Sequence, residues 1–481
     1  MRPSTPPSVH PVLEGGMLLG LWAALVALNP WGKEFTAIWN SPREVSMGTF
    51  VFAALLGLLL RRNNLPDPPK RNVSAPLWAS VSFLAFGLAA TVYSPQPIWS
   101  WTGYPSVGDG LRFWALGIAF AWSTYLALET GLLKPRLLVA ALLLALGTHA
   151  LAIFPQLFDW KLDYTQTSGQ TYVRCFDLER SFCQENPNAT ASGIHRSHMP
   201  IGLTSHRGHA AGALALLSLF VAGLYVQRPN PKLLFLFALG ALALWFTQTR
   251  GGWMALWGIL LFLVLAFSVK RSALAPLAWH LLGIGLLTYG VYWGAGKLLP
   301  TEMRSFGELG ASFDKVNTYT SGRLDLWQKA LTAFPIRPLL GWGFDGYARA
   351  YPYGVDWNGK DRPLLPQGLK PPVQVVLGED RLIYLEDRHG LRILAPAPYA
   401  KAHNLFLDLL LSVGILGGIS YLLWLGLAIK QATWPKFPLL LVLLGYLLFG
   451  FTWYDSIHVT PIALLALGAS FASETVWLKK E

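Results

Sequence analysis

Apolar runs of membrane-crossing length recur twelve times in this chain of 481 residues. They fall at about 15–31, 47–60, 76–94, 110–130, 136–155, 208–226, 232–248, 252–269, 276–296, 403–428, 437–452 and 459–477. A helix needs about 20 residues to cross the hydrocarbon layer. In lipid every backbone amide must be paired within its own segment, so these runs are expected to be helices and not open strands. Charge content points the same way. Only 13% of residues are Asp, Glu, Lys or Arg, against about a quarter in a soluble protein. The expected fold class is therefore an all-α polytopic membrane protein with about 12 transmembrane helices, which excludes a soluble enzyme, a coiled coil and a disordered scaffold.

The net charge of +12 would suggest nucleic acid in a soluble chain. Here its location speaks against that. Arg61, Arg62, Lys70 and Arg71 follow span two, and Lys134 and Arg136 follow span four. Arg228 and Lys232 follow span six, Lys270 and Arg271 span eight, Lys430 and Lys436 span ten, and Lys479 and Lys480 span twelve. Basic loops stay in the cytoplasm, so both termini and the loops after even-numbered spans are expected inside. The first run lacks a clear small-x-small cleavage site and is read as a retained span.

Residues 1–296 then hold spans one to nine, with an outer loop at about 156–206. Residues 297–402 form a large periplasmic loop, and 403–481 hold spans ten to twelve. The first outer loop carries both cysteines, Cys175 and Cys183. An oxidising compartment permits a bridge between them; two free thiols are the other reading. Neither CxxC nor a His-rich metal spacing occurs, so no metal and no cofactor is expected.

Three polar constellations share the outer side. In Thr247-Gln248-Thr249-Arg250-Gly251-Gly252-Trp253, Arg250 either snorkels to a headgroup or faces a ligand that the two glycines let approach. In Ser321-Gly322-Arg323-Leu324-Asp325-Leu326-Trp327-Gln328-Lys329-Ala330-Leu331, Leu324, Trp327 and Leu331 recur at helical spacing. That pattern predicts a short amphipathic helix on the membrane surface, ended by the turn Pro335–Gly343. In Ala402-His403-Asn404-Leu405, His403 stands where the chain re-enters the membrane. A helix N-terminus there disfavours imidazolium, and an adjacent anion would favour it. An interfacial hydrogen-bonding role is the plain alternative.

Taken in order, Arg-Gly opening a span, Gly-Arg-x-x-x-Trp followed by a Pro-x-x-Gly-x-Gly turn, and His-Asn leading to Gly414-Ile415-Leu416-Gly417 resemble the O-antigen ligase family. That family groups O-antigen ligases, O-antigen polymerases and the bacterial O-oligosaccharyltransferases that glycosylate pilins. The likeness covers about 200–430 in motifs, and the twelve-span plan extends it to the rest.

The resemblance implies a glycosyltransferase-C-like, metal-independent, inverting enzyme of the bacterial inner membrane, acting in lipopolysaccharide biosynthesis. Its partners would be a glycan on undecaprenyl pyrophosphate, an acceptor and membrane lipid, with no nucleic acid. The acceptor favoured is lipid A core; another lipid-linked glycan or a protein hydroxyl would mark the polymerase and protein-glycosylating members. It also implies that His403 is the general base and that Arg250 and Arg323 hold the leaving pyrophosphate.

Arg207, in Ser205-His206-Arg207-Gly208-His209, would be a third ligand; His206 and His209 read as interfacial. Asp455, in Phe451-Thr452-Trp453-Tyr454-Asp455-Ser456, either orients His403 or Arg250 or is a solvated turn residue. Lys401, Asn404 and Tyr399 flank the histidine and are candidates for contact with donor or acceptor. Trp99, Trp101 and Tyr104 are assigned to the bilayer interface. A flippase for the same lipid-linked glycan is the competing class, disfavoured because no repeat relates the halves.

Overall fold

The computed structural model describes residues 11–29, 35–60, 73–104, 107–157, 166–175, 183–190, 200–298, 322–350, 373–377, 383–394 and 401–478. The chain runs through α1 (Pro11–Val26), α2 (Phe35–Trp39), α3 (Ser41–Leu60), α4 (Ser74–Val92), α5 (Pro97–Thr102), α6 (Leu111–Glu129) and α7 (Pro135–Gln156). A hairpin of β1 (Gln166–Cys175) and β2 (Cys183–Thr190) follows. Next come α8 (Arg207–Gln227), α9 (Pro231–Phe246), α10 (Arg250–Val269) and α11 (Ala275–Ala295). The outer segment holds α12 (Arg323–Ala333), α13 (Gly346–Ala350) and a meander of β3 (Val373–Leu377), β4 (Ile383–Asp387) and β5 (Arg392–Leu394). The chain closes with α14 (Leu405–Gln431), α15 (Phe437–Gly450), α16 (Thr460–Phe471) and α17 (Glu474–Leu478).

Each of the twelve apolar runs overlaps a helix, the last of them both α16 and α17. Seven (α3, α4, α6, α7, α8, α10 and α14) are long and apolar enough to cross a membrane, and α1, α9, α15 and α16 are shorter apolar helices. The chain is an all-α polytopic membrane protein whose only described strands are the two small antiparallel sheets between helices. Local chemistry sets several helix starts. Pro stands in the first turn of α7, α9, α11, α15 and α16, where its missing N–H is no loss. The Asn230 side chain caps α9 by accepting from Lys232 N at 2.8 Å.

α8 lies at the centre. Of its most apolar window 94% is buried, against 28% for α3 at the periphery, so α8 faces protein all round while α3 faces lipid. It packs on α7, α9, α10 and α15. Arg43 of α3, fully buried, ties together the segments that follow α1, precede α8 and precede α16. Its guanidinium donates to the carbonyls of Ala27 (3.1 Å), Leu203 (2.6 Å) and His458 (3.4 Å). Buried carbonyls that would otherwise lie unpaired are satisfied this way.

Span ten is not one continuous helix. Gly414 breaks α14 with φ 66° and ψ −172°, and the turn after α12 fills the gap. Trp342 N donates to Leu411 O (2.7 Å), Ile415 N to Pro338 O (2.8 Å) and Leu416 N to Leu339 O (3.4 Å). The turn thus supplies the hydrogen bonds that the broken helix forfeits, as irregular backbone at membrane depth requires. A Cβ on Gly414 would overlap the Leu339 carbonyl.

α12 forms where the sequence pattern places it, but its packed face differs. Leu326, Ala330 and Ala333 are buried against Trp342, Tyr347 and Leu411, with Trp327 at the margin, while Leu331 is 49% exposed. Ala330 and Ala333 let the C-terminal half of α12 approach the clasped turn closely, while Leu326 fills the space beside them.

Cys175 and Cys183 stand directly opposite each other in the β1–β2 register. Their side chains, Tyr399, the 395–400 part of the outer loop, and the basic residues Arg61, Arg62, Lys70, Arg71, Lys479 and Lys480 lie outside the described residues.

Candidate active site

His403 sits in a four-residue turn that every neighbour restrains. Asn404 caps α14, its Oδ1 accepting from Phe406 N (3.0 Å) and Leu407 N (3.1 Å), while its Nδ2 donates to Phe451 O (3.1 Å). Ala402 N donates to Asp408 Oδ1 at 2.9 Å. The buried Lys401 ammonium lies between the carboxylates of Asp109 and Asp345. Burial alone would favour the neutral amine, but these two carboxylates outweigh it and raise the Lys401 pKa. With both flanks pinned, His403 adopts φ 54°, a left-handed conformation that costs a non-glycine residue about 1–3 kcal/mol. Gln248, two residues before Arg250, and Asp345 are also left-handed, at φ 53° and 60°. The fourth described non-glycine residue with positive φ, Arg271 (φ 48°), lies away from them in the turn after α10.

The turn also sets the imidazole's tautomer. Nδ1 lies 3.2 Å from Lys401 O. Facing a carbonyl, Nδ1 carries the hydrogen, which leaves Nε2 as the lone-pair nitrogen. The ring stands edge-on to Trp453 (5.2 Å, 89°) and Tyr454 (5.0 Å, 87°). Burial, reinforced by the adjacent Arg323 guanidinium, lowers its pKa to about 3. His403 is thus a neutral base at neutral pH.

Three arginines gather beside it. Arg207, Arg250 and Arg323 are the first residues of α8, α10 and α12. A cation at that end opposes the helix dipole, and both the dipole and the guanidiniums would favour an anion there. The arginines feel one another. Burial, then Arg250 and Arg207, lower the Arg323 pKa to about 10, partly countered by Tyr454. The Arg323 guanidinium lies 5.6 Å over the Trp453 ring. Amide N–H groups at helix starts and arginine forks together suit a phosphate-bearing ligand.

Trp453 and Tyr454, in the turn between α15 and α16, form the plate on which the site is assembled. Their rings stack at 5.2 Å and 16°. His206 stacks on Trp453 at 5.5 Å and 27°. Gly208 makes room, because a Cβ there would run into the Trp453 ring. The glycines after Arg250 serve packing in the same way and not the approach of a ligand. A Cβ on Gly251 would overlap Thr452, and one on Gly252 would lie 2.7 Å from Ala211 Cβ.

Of the residues singled out from sequence, Arg207, Arg250, Arg323 and His403 come together. Lys401 and Asn404 flank His403 and are committed to ion pairs and to helix capping. Asp455 is bonded to neither His403 nor Arg250, and it is not solvated. It is buried, accepting from Tyr446 Oη and from Thr460 Oγ1 (2.9 Å), and burial raises its pKa to about 6. Sequence reasoning passed over Trp453 and Tyr454 beside it, and Asp109 in Gly108-Asp109-Gly110. A Trp-Tyr pair in an outer turn was the available signal, hidden by the general abundance of interfacial aromatics. Among the described residues no three His, Cys, Asp or Glu side chains group as metal ligands.

Residues 235–422 match the family model described as O-antigen ligase. No curated protein matches the chain. The matched segment starts in α9 and ends in α14, so it spans Arg250, Arg323, the clasped turn, His403 and Gly414. Residues 235–422, less than half of the chain, are thus similar to the O-antigen ligase family, whose members are glycosyltransferase-like membrane enzymes.

Proposed function

We propose that this protein transfers a glycan from undecaprenyl pyrophosphate to an acceptor hydroxyl, with inversion, at the outer face of the bacterial inner membrane, and that lipid A core is the acceptor. One observation carries the reading: three helix-initiating arginines lie near enough to act on one another, Arg323 of them over the Trp453 ring, beside an imidazole whose Nε2 is a neutral base. The acceptor oxygen attacks the anomeric carbon from the face opposite the diphosphate. The new C–O bond forms as the bond to the phosphate oxygen breaks, and His403 Nε2 takes the hydroxyl proton. Arg207, Arg250 and Arg323 hold the charge that develops on the leaving diphosphate. Arginine suits this role because it stays charged and donates bidentately.

A transfer assay with purified protein, undecaprenyl-pyrophosphate-linked glycan and lipid A core tests this. His403→Ala is expected to lower the rate by about 10²–10⁴. Arg250→Ala and Arg323→Ala are each expected to lower it by roughly 10²–10³. Excess chelator is expected to leave the wild-type rate unchanged. Full activity in all three variants, or a metal requirement, overturns the mechanism. Glycan lengthened on undecaprenyl, or glycan joined to a protein hydroxyl, would replace lipid A core as the acceptor.

A further inference from the structure

The carboxylate of Asp408 grips the chain on both sides of His403. Its Oδ1 accepts from Ala402 N at 2.9 Å and its Oδ2 from Asn404 N at 3.4 Å. Asp408 lies in the first turn of α14 and is 6% exposed. An ionisable group within a membrane span is costly, and one that is kept there, enclosed by protein, usually has a task. The two amides that it holds are those immediately before and after the imidazole-bearing residue, which sits between them at φ 54°.

Helix capping accounts for only half of this grip. Asn404 is the N-cap of α14, its own side chain already accepting from Phe406 N and Leu407 N. A side chain in the first turn that reaches back to the N-cap amide completes a capping box. The bond from Asn404 N, the longer of the two, is of that kind. The shorter one, from Ala402 N, passes over His403 to a residue outside the helix, and no cap requires it. Its effect falls on the turn. A left-handed histidine relaxes to negative φ unless its surroundings over-determine it. Such a relaxation would carry the ring away from the Lys401 carbonyl, which lies 3.2 Å from Nδ1. Which ring nitrogen holds the hydrogen is set by the bond that the other makes. Without that carbonyl the hydrogen is free to move to Nε2 and remove the lone pair there.

We propose that Asp408 is a positioning residue of this site, clamping the amides of Ala402 and Asn404 so that His403 presents Nε2 as a base. The proposal rests on the role of His403 put forward above. Asp408 acts through the turn, without contact to donor or acceptor. The Lys401 ammonium, between Asp109 and Asp345, anchors the same turn from its start. Carbonyl and ring are thus each held from their own side.

Asp408→Asn tests this, because an amide has one acceptor oxygen for two N–H donors and must release one of them. Transfer from undecaprenyl-pyrophosphate-linked glycan is measured with full-length protein, in the wild-type and in the His403→Gln background. With His403 present, the substitution is expected to lower kcat about 10²-fold and to leave the donor KM within about twofold. In the His403→Gln background it is expected to cost nothing further, since a residue that acts only through the base has nothing left to position. Nitrogen NMR of protein carrying isotope-labelled histidine supplies a second readout, the His403 signals being identified by their loss in His403→Gln. Hydrogen is expected on Nδ1 in the wild type and to shift toward Nε2 in Asp408→Asn. If Asp408→Asn does not fold, Asp408→Glu takes its place in the same comparison, keeping the charge and both oxygens but moving them by one methylene. Wild-type kcat in the variant, an equal loss in both backgrounds, or an unchanged tautomer overturns the assignment. Full activity in His403→Gln removes the base and this proposal together, whereas an inactive His403→Gln beside an unimpaired Asp408 variant removes Asp408 alone.

Discussion

At the residue scale, the site turns on how one imidazole is kept neutral and aimed. His403 is legible in the sequence as a rare polar residue where a span begins. Its tautomer is not, because the Lys401 carbonyl faces Nδ1 only after Asn404, Asp408 and the Lys401 ion pairs have bent the turn. The depressed pKa, about 3, makes a testable statement. The free enzyme's base should stay neutral on acidification, so kcat/KM is expected to show no acid limb from His403 between about pH 8 and pH 5. A limb centred near 6.5 that vanishes in His403→Gln would show an ordinary solvated imidazole instead. The stability linkage has the matching sign. A histidine whose folded pKa lies below its unfolded value near 6.5 binds fewer protons when folded. Its contribution is complete above about pH 6.5 and is lost as pH falls from there toward 3. Asp455 teaches the reverse lesson: its acidity suggested a catalytic partner, yet tertiary contacts with Tyr446 and Thr460 absorb it.

At the scale of elements, the central feature is the clasp between the turn after α12 and the break in α14. From sequence, 403–428 reads as one continuous span, because Gly-Ile-Leu-Gly fits an apolar helix as well as it fits a break. The groups that complete it, Pro338 O and Leu339 O, come from more than seventy residues earlier. Gly414→Ala combines a left-handed residue, roughly 1–2 kcal/mol, with overpacking against Leu339 of roughly 1–3 kcal/mol. The variant is expected to lose about 2–5 kcal/mol, read as a clearly lowered thermal midpoint in detergent, and to lose transfer activity because the clasp also positions α12 and Arg323. A midpoint equal to wild type would show that α14 can close into a regular helix. The amphipathic pattern of α12 was legible in type but not in orientation, since the choice between its faces depends on the shape of the turn beneath it.

At the scale of the whole molecule, the N-terminal ends of α8, α10, α12 and α14 meet although they lie far apart in the chain. Arg43 and the Asp109–Lys401–Asp345 ion pairs fasten that end. The charge pattern assigns this end to the outside. Cysteine-less protein carrying single cysteines checks it: His389→Cys, beside the small sheet, is expected to react with an impermeant maleimide in intact cells, and Lys270→Cys, in the opposite turn, only after permeabilisation. The reverse labelling would invert the topology and place the arginine cluster in the cytoplasm.

The sequence alone determined the membrane class, the twelve helical runs and the short roster of charged residues, because lipid penalises every unpaired amide and every stray charge and so leaves few ways to write such a chain. Tertiary structure alone decided which of those charges share a site. Arg207, Arg250, Arg323 and His403 are separated by tens of residues, and their encounter is set by how helices pack and where α14 breaks, neither of which leaves a mark in local periodicity. The same packing made Lys401, Asn404 and Asp455 supports of the site.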